Sequence, residues 1–332
     1  MSSSLVLALL LASPDPVTAE RARAANEALL TGDPAALAGR MTPQMLGAIG
    51  GAQGVARFAA DVRAAIGAEL EVLGEEAFPS EGSVAYYRES RFERAPQVTV
   101  NWVFTSDGRI SGAYVGPSPV AADTPHLDYR TKTPLRLPFG RPAGGGGWYV
   151  SWGGRDAIHN YHVIAADQRF ASDFLLYRGG ASFKAGGRRN EDHYCWNQPV
   201  LAPAAGRIVS AVGDVPDNAA PGQKTPGVTP PGNHVVIDHG GGERSLLAHF
   251  RQGTLKVKVG QKVAAGQLLG LCGNSGNSSQ PHVHYHLQTG KAFGEGLGLP
   301  AFFNGYEADG VPVKRGEPLR GQVVVPAASG TN

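Results

Sequence analysis

Long apolar runs are missing from this chain. Leu5 to Ala12 is the one sizeable run near the N-terminus and is far too short to cross a bilayer; no later stretch of about 18 apolar residues follows. An excess of one charge is missing as well. Thirty Lys and Arg stand against 28 Asp and Glu, a net charge of +2, so no global field argues for nucleic acid or an anionic membrane. Charged residues are only 17% and no Gly-X-Y period occurs, which excludes charge-driven disorder and collagen. Cys195 and Cys272 are the only thiols, and neither lies in a CxxC, which argues against a thiolate zinc site or a redox motif. Two thiols can make one disulfide in an oxidising compartment or stay as unrelated buried residues. No HExxH occurs, so the helix-borne zinc peptidase is excluded as a template.

What is present is glycine, 46 of 332 residues, with 24 prolines. That excess predicts many short strands joined by turns, in a chain long enough for two domains. At the N-terminus, Leu5 to Ala12 followed by Val17-Thr18-Ala19 reads as a signal peptide over 1–19, with Ser2, Ser3 and Ser4 where basic residues usually stand. An ordinary first helix is the other reading. Residues 20–67 are Ala-rich at helical spacing, broken at Gly32-Asp33-Pro34 and Gly50-Gly51. Strands follow at Val84–Phe92, Val98–Thr105 and Ile110–Val115, the last two joined by the turn Ser106-Asp107-Gly108-Arg109. Helices then a meander predict an α+β domain over 20–118. Its layout resembles the cone-shaped nuclear transport factor 2-like domains, and it holds no catalytic constellation.

Residues 119–146 are rich in Pro and Gly and read as a linker. From 147 the chain predicts an all-β domain to about 290, with a strand at His159–Ala165 among many others. Residues 291–332 follow as an extension packed on that domain, wrapping it with one added strand at Gln322–Val325. Two long loops, Arg178–Trp196 and Asp214–Gly232, suit functional rims.

Nine of the ten histidines fall between 159 and 286. In Pro281-His282-Val283-His284-Tyr285-His286-Leu287, strand alternation puts all three histidines on one face. Their Cβ atoms are then roughly 6–7 Å apart, close enough for two imidazoles to reach one metal at about 2.0–2.1 Å. A solvated polar face is the bland reading. Asp173, in an apolar strand beside Phe170 and Phe174, needs a partner, because a buried carboxylate is expensive alone. A cation serves, and so does Arg169 or Arg178. If Ala165–Gln168 close a hairpin, His162 shares a face with Asp173 while His159 points away; a loop one residue different reverses this. His249, in Leu247-Ala248-His249-Phe250, is either a site residue or a cap on a barrel edge.

The ordered motifs over 155–290 resemble the lysostaphin-type (LytM-like) zinc metallopeptidases that cut peptide bridges in bacterial cell walls. They include Leu201-Ala202-Pro203, Gly232-Asn233-His234-Val235, Leu247-Ala248-His249-Phe250 and Gly273-Asn274-Ser275-Gly276-Asn277 through His286. The resemblance implies an antiparallel lysostaphin-like β-sheet or barrel-sandwich fold. It implies one Zn2+ per chain on His162, Asp173 and His284, with His249 and His282 assisting catalysis, and a peptidoglycan stem or cross-bridge as substrate. Export to the periplasm, envelope or outside follows from it, and with export a Cys195–Cys272 disulfide holding the 178–196 loop near the site. The sequence departs from the family twice: Arg169 stands four residues before Asp173, where a His is usual, and His286 replaces a common Glu. Other readings are a non-catalytic wall-binding or regulatory module on the same fold, or a zinc peptidase acting on another protein. A biotinyl or lipoyl carrier, suggested by Val259–Gln267, lacks the Met-Lys tip. His126, His193, His234 and His239 have no assigned role.

Overall fold

In the computed structural model, which describes residues 15–328, three N-terminal helices begin alike. Asp15, Asp33 and Thr42 each precede a proline and accept from backbone N–H groups of the helix that follows, Pro16–Thr31, Pro34–Gly39 and Pro43–Ala48. Proline fits there because its missing N–H would have been unsatisfied anyway, and each capping oxygen meets free donors of the first turn. Gly32, at φ +87°, ends the first helix. A fourth helix, Gly51–Ile66, follows the Gly50 break. Val17-Thr18-Ala19 lies in the first turn of Pro16–Thr31, with Thr18 and Ala19 buried; Leu5 to Ala12 lies outside the described residues. Four antiparallel strands, Glu69–Ser80, Ser83–Phe92, Val98–Phe104 and Ile110–Pro117, form a sheet in sequence order. The buried Trp102 indole donates to Asn26 Oδ1 at 2.7 Å, tying this sheet to the first helix.

The chain divides between Ser118 and Pro119. Residues 119–146, expected as a linker, belong to the second unit. Leu135, Leu137 and Phe139 are buried in its core, and Phe139 stacks on Trp148 at 4.1 Å. Buried Glu243 anchors the same segment: its carboxylate accepts from Tyr129 Oη (2.7 Å), Lys132 N (2.6 Å) and Thr133 N (2.7 Å). Proline and glycine shape this segment's path, but its apolar side chains decide where it lies.

The second unit is built on an 11-stranded sheet. At its middle, Val283–Gln288 pairs antiparallel with Arg244–Ala248 on one side and Ser172–Tyr177 on the other. Ser172–Tyr177 continues to Gly147–Trp152, and then to Val323–Pro326 from the C-terminal segment. That segment adds more than the single strand expected: Gly298–Leu299, Phe303–Ala308 and Val311–Gly316 also join the sheet. Alternation along the central strand sends Val283, Tyr285 and Leu287 into the apolar core. His284, His286 and Gln288 therefore share the opposite face.

The expected strand at His159–Ala165 is absent. Residues Tyr161–Ile164 form a 3-10 turn, because the Asn160 side chain accepts from His162 N and closes the chain back on itself. Cys195 and Cys272 are bonded, with Cα atoms 5.9 Å apart and 77 residues between them in sequence. Closing a loop of that length contributes about 4–5 kcal/mol on chain-entropy grounds. It also fixes the end of the 178–196 loop beside the Gly273–Asn277 turn.

Candidate active site

Register creates the site. Antiparallel pairing puts His284 directly opposite Asp173 on one flank and Ala248 on the other, so residue 249 follows at the same level. His284 Nδ1 lies 2.8 Å from Asp173 Oδ1. His162, delivered by the 3-10 turn, brings Nε2 to 3.6 Å from Asp173 Oδ2. His282 Nε2 lies 3.6 Å from Asp173 Oδ1. His249 completes the group, its ring 4.7 Å from that of His282 and 5.7 Å from that of His284. All five side chains are buried. The arginines that offered Asp173 a simpler partner point elsewhere: Arg169 donates to Ala122 O and Arg155 O, and Arg178 to Ala143 O.

Backbone carbonyls fix the imidazole tautomers, since a carbonyl oxygen only accepts. His249 Nδ1 sits 2.7 Å from Ser275 O, and His282 Nδ1 sits 2.8 Å from Gln280 O. Each, in its neutral form, therefore carries its proton on Nδ1 and leaves Nε2 bare. Asn160 does the same for His162. Its amide nitrogen donates to Gly154 O and Ala171 O, so its oxygen must accept from His162 Nδ1 at 2.9 Å.

Two loops must touch to hold Ser275 in place. A Cβ on Gly276 (φ +75°) would meet Gly232 N at 2.5 Å, and one on Gly232 (φ +55°) would meet Ser275 C at 2.5 Å. Only glycine permits both the contact and the left-handed backbone. His249 has no such excuse. At φ +65° it is a non-glycine residue in the left-handed region, a conformation costing of order 1–3 kcal/mol that tends to persist at functional sites.

His162, Asp173 and His284 each offer one donor atom, and those atoms all lie within 4.8 Å of one another. Two imidazoles and a carboxylate form a donor set suited to zinc, and three protein ligands leave a fourth position open, as in catalytic sites. Burial holds His162 neutral down to about pH 3, against the pull of Asp173, and a neutral imidazole is what a metal requires. Burial also tends to raise Asp173, but the fields of His162 and His282 keep it well below the usual carboxylate range.

His286 and Gln288, given no role from the sequence, extend the group. His284 Nε2 lies 2.9 Å from His286 Nδ1, and His286 Nε2 lies 2.6 Å from Gln288 Oε1. The signal was there: both stand two residues apart on the face already assigned to His282 and His284. Asn160 carried no such signal, because its role depends on the turn. His159 stays outside, bonded to Asp156 at 2.8 Å. His193 is buried beside Phe183, His234 bonds Gly232 O, and His239 bonds Ala205 O and Ser245.

This burial has a consequence for stability. His162, His249, His286, His234 and His239 are all shifted below the ordinary histidine value, chiefly by burial. His282 is raised: burial opposes the shift, but the charge of Asp173 outweighs it. The unfolded chain therefore takes up more protons than the folded one below about pH 6.5. The stability held by the five lowered groups is complete above that pH and is lost as pH falls from there toward 3, while His282 works the opposite way. Thermal melts of chelator-treated protein should show a lower midpoint at pH 5 than at pH 7.5. An unchanged or higher midpoint at pH 5 contradicts this.

Residues 193–294 match the profile of peptidase family M23. That segment contains His249, His282 and His284, whereas His162 and Asp173 precede it. Over 56 residues the chain is 46% identical to the peptidoglycan DD-endopeptidase ShyA of Vibrio cholerae, covering 17% of this chain and 13% of that relative. Similar solved structures include the catalytic domain of the prophage-encoded M23 protein EnpA from Enterococcus faecalis, at 20% identity over 49% of this chain and 94% of that one, TM-score 0.30. Another is the M23 metalloprotease pseudoalterin from the deep sea, at 18% identity over 59% and 96%, TM-score 0.34.

Proposed function

We propose, from the premise that residues 193–294 belong to peptidase family M23, that this chain is a zinc-dependent endopeptidase cutting peptide bonds in bacterial peptidoglycan. One observation carries the reading: three buried donors within 4.8 Å, flanked by two histidines whose Nε2 atoms are bare. His162 Nε2, an Asp173 oxygen and His284 Nδ1 would hold the ion. Zinc bound there supplies a Lewis acid that acidifies a water and polarises the scissile carbonyl.

The remaining chemistry belongs to the chain. His249, held neutral by burial, accepts the attacking water's proton at Nε2. His282, whose hold on a proton is strengthened by the charge of Asp173, takes one up at Nε2, offers that N–H to the developing oxyanion and passes the proton to the leaving amine. Two recesses flank the cluster and share Tyr161 and Asn277 as lining. One, of about 360 Å³, reaches Asp173 and His282; the other, of about 150 Å³, reaches His162, His249 and His284. Space on both sides suits a chain cut internally rather than at its end.

A non-catalytic binding module would leave this complete donor set and its fixed tautomers without a use. A wall substrate places the enzyme's work outside the cytoplasm, and the Cys195–Cys272 bond agrees with an oxidising compartment. Purified peptidoglycan incubated with the protein and analysed by mass spectrometry tests the reading. Peptide fragments with new amino termini should appear, and a zinc chelator should abolish them. Intact peptides at stoichiometric zinc would overturn it.

A further inference from the structure

We infer that Gln288 is a positioning residue that fixes, through His286, which nitrogen His284 turns toward the metal. The inference rests on the zinc reading above but on a separate set of contacts. Gln288 Nε2 donates to two backbone carbonyls, Gly290 O at 3.1 Å and Ala292 O at 2.8 Å. The amide cannot be flipped without setting its oxygen against both. Its Oε1 must therefore face His286, and being an acceptor it requires the proton on His286 Nε2. His286 Nδ1 is then bare and accepts, which requires the proton on His284 Nε2. His284 Nδ1 is left with its lone pair toward Asp173 Oδ1.

Two lone pairs facing each other at 2.8 Å call for a cation between or beside them. Gln288 and His286 are fully buried, so no water competes for these hydrogen bonds. The direction of the whole chain is set at its far end, by two carbonyls of the 290–292 turn. Ligating histidines commonly give their second N–H to a carboxylate or carbonyl that sets the tautomer. Here a second histidine stands in that place, and because histidine has two tautomers of its own, it needs Gln288 to choose between them.

Two variants separate this role from simple packing. Gln288→Met removes the acceptor and both donors. Gln288→Glu removes the donors to Gly290 and Ala292 but keeps an acceptor for His286. In metal-free protein carrying 15N-labelled histidine, wild type and Gln288→Glu should show His286 protonated on Nε2 and bare on Nδ1. Gln288→Met should lose that signature. Zinc affinity, measured by competition with a chromogenic chelator, should fall about ten- to a hundredfold in Gln288→Met, the usual cost of losing such a partner. It should stay within about threefold of wild type in Gln288→Glu, since the tautomer is kept.

If Gln288→Glu loses as much affinity as Gln288→Met, Gln288 acts only by tying down the 290–292 turn and the inference falls. A proton on His286 Nδ1 in wild type overturns it outright, even if Gln288→Met fails to fold. A wild-type protein that binds no zinc overturns the functional reading instead, and leaves the nitrogen signature to decide the direction of the hydrogen-bond chain.

Discussion

Replacing His284 with alanine should strip the protein of zinc and of peptidoglycan hydrolysis together. His284 Nδ1 is one of three donors within 4.8 Å, and the opposite residue on the neighbouring strand is the second, Asp173. Removing it leaves Asp173 and His162, too few to hold zinc against water. The affinity loss should exceed the roughly hundredfold that follows loss of an outer partner. Chelator competition measures the first effect and muropeptide release the second. Because His284 packs on a buried sheet face, a thermal melt compared with chelated wild type separates site loss from unfolding. Unchanged zinc content in a folded His284→Ala protein would show that the ligand set is wrong.

His249 and His282 should behave in the opposite way, keeping the metal and losing turnover. Neither belongs to the three-donor group, yet the His249 ring lies 5.7 Å from that of His284 and His282 Nε2 lies 3.6 Å from Asp173 Oδ1. Loss of a positioned acid or base typically costs about 10²–10⁴ in rate, so His282→Ala should retain stoichiometric zinc with turnover reduced by that order. For position 249 the informative change is His249→Gly. The backbone there sits at φ +65°, which glycine adopts without penalty, so the fold should hold or gain stability while the ring is lost. Turnover that falls in a protein at least as stable as wild type assigns the effect to the imidazole. Equal turnover in either variant removes that residue from the proposed chemistry.

The histidine face of Val283–Gln288 was legible because strand alternation is local. One inspection of 282, 284 and 286 gives the shared side, and the core contacts of Val283, Tyr285 and Leu287 follow from the same rule. What alternation does not give is the partner strand. Asp173 meets His284 across 111 residues of sequence, a pairing set by the apolar residues of both strands rather than by anything near the histidines.

His162 was singled out by assuming a hairpin. It reaches Asp173 from a 3-10 turn instead, placed there by Asn160, whose side chain competes with strand formation for the backbone N–H of His162. The linker reading of 119–146 failed for a different reason. Proline and glycine content reports local turns, whereas the burial of Leu135, Leu137 and Phe139 is tertiary. Gln288 shows the limit most clearly. Its place on the histidine face follows from parity, but its consequence depends on two carbonyls presented by a turn beyond the strand.

Everything proposed for this protein turns on an open zinc site made of two imidazoles and one carboxylate. Zinc K-edge X-ray absorption on protein loaded with one equivalent of the metal tests it most directly. The expected spectrum has about four nitrogen and oxygen donors at roughly 2.0–2.1 Å, with scattering from two imidazole rings and no sulfur. Six-fold coordination, a sulfur shell near 2.3 Å, or zinc that fails to stay with the protein would contradict it.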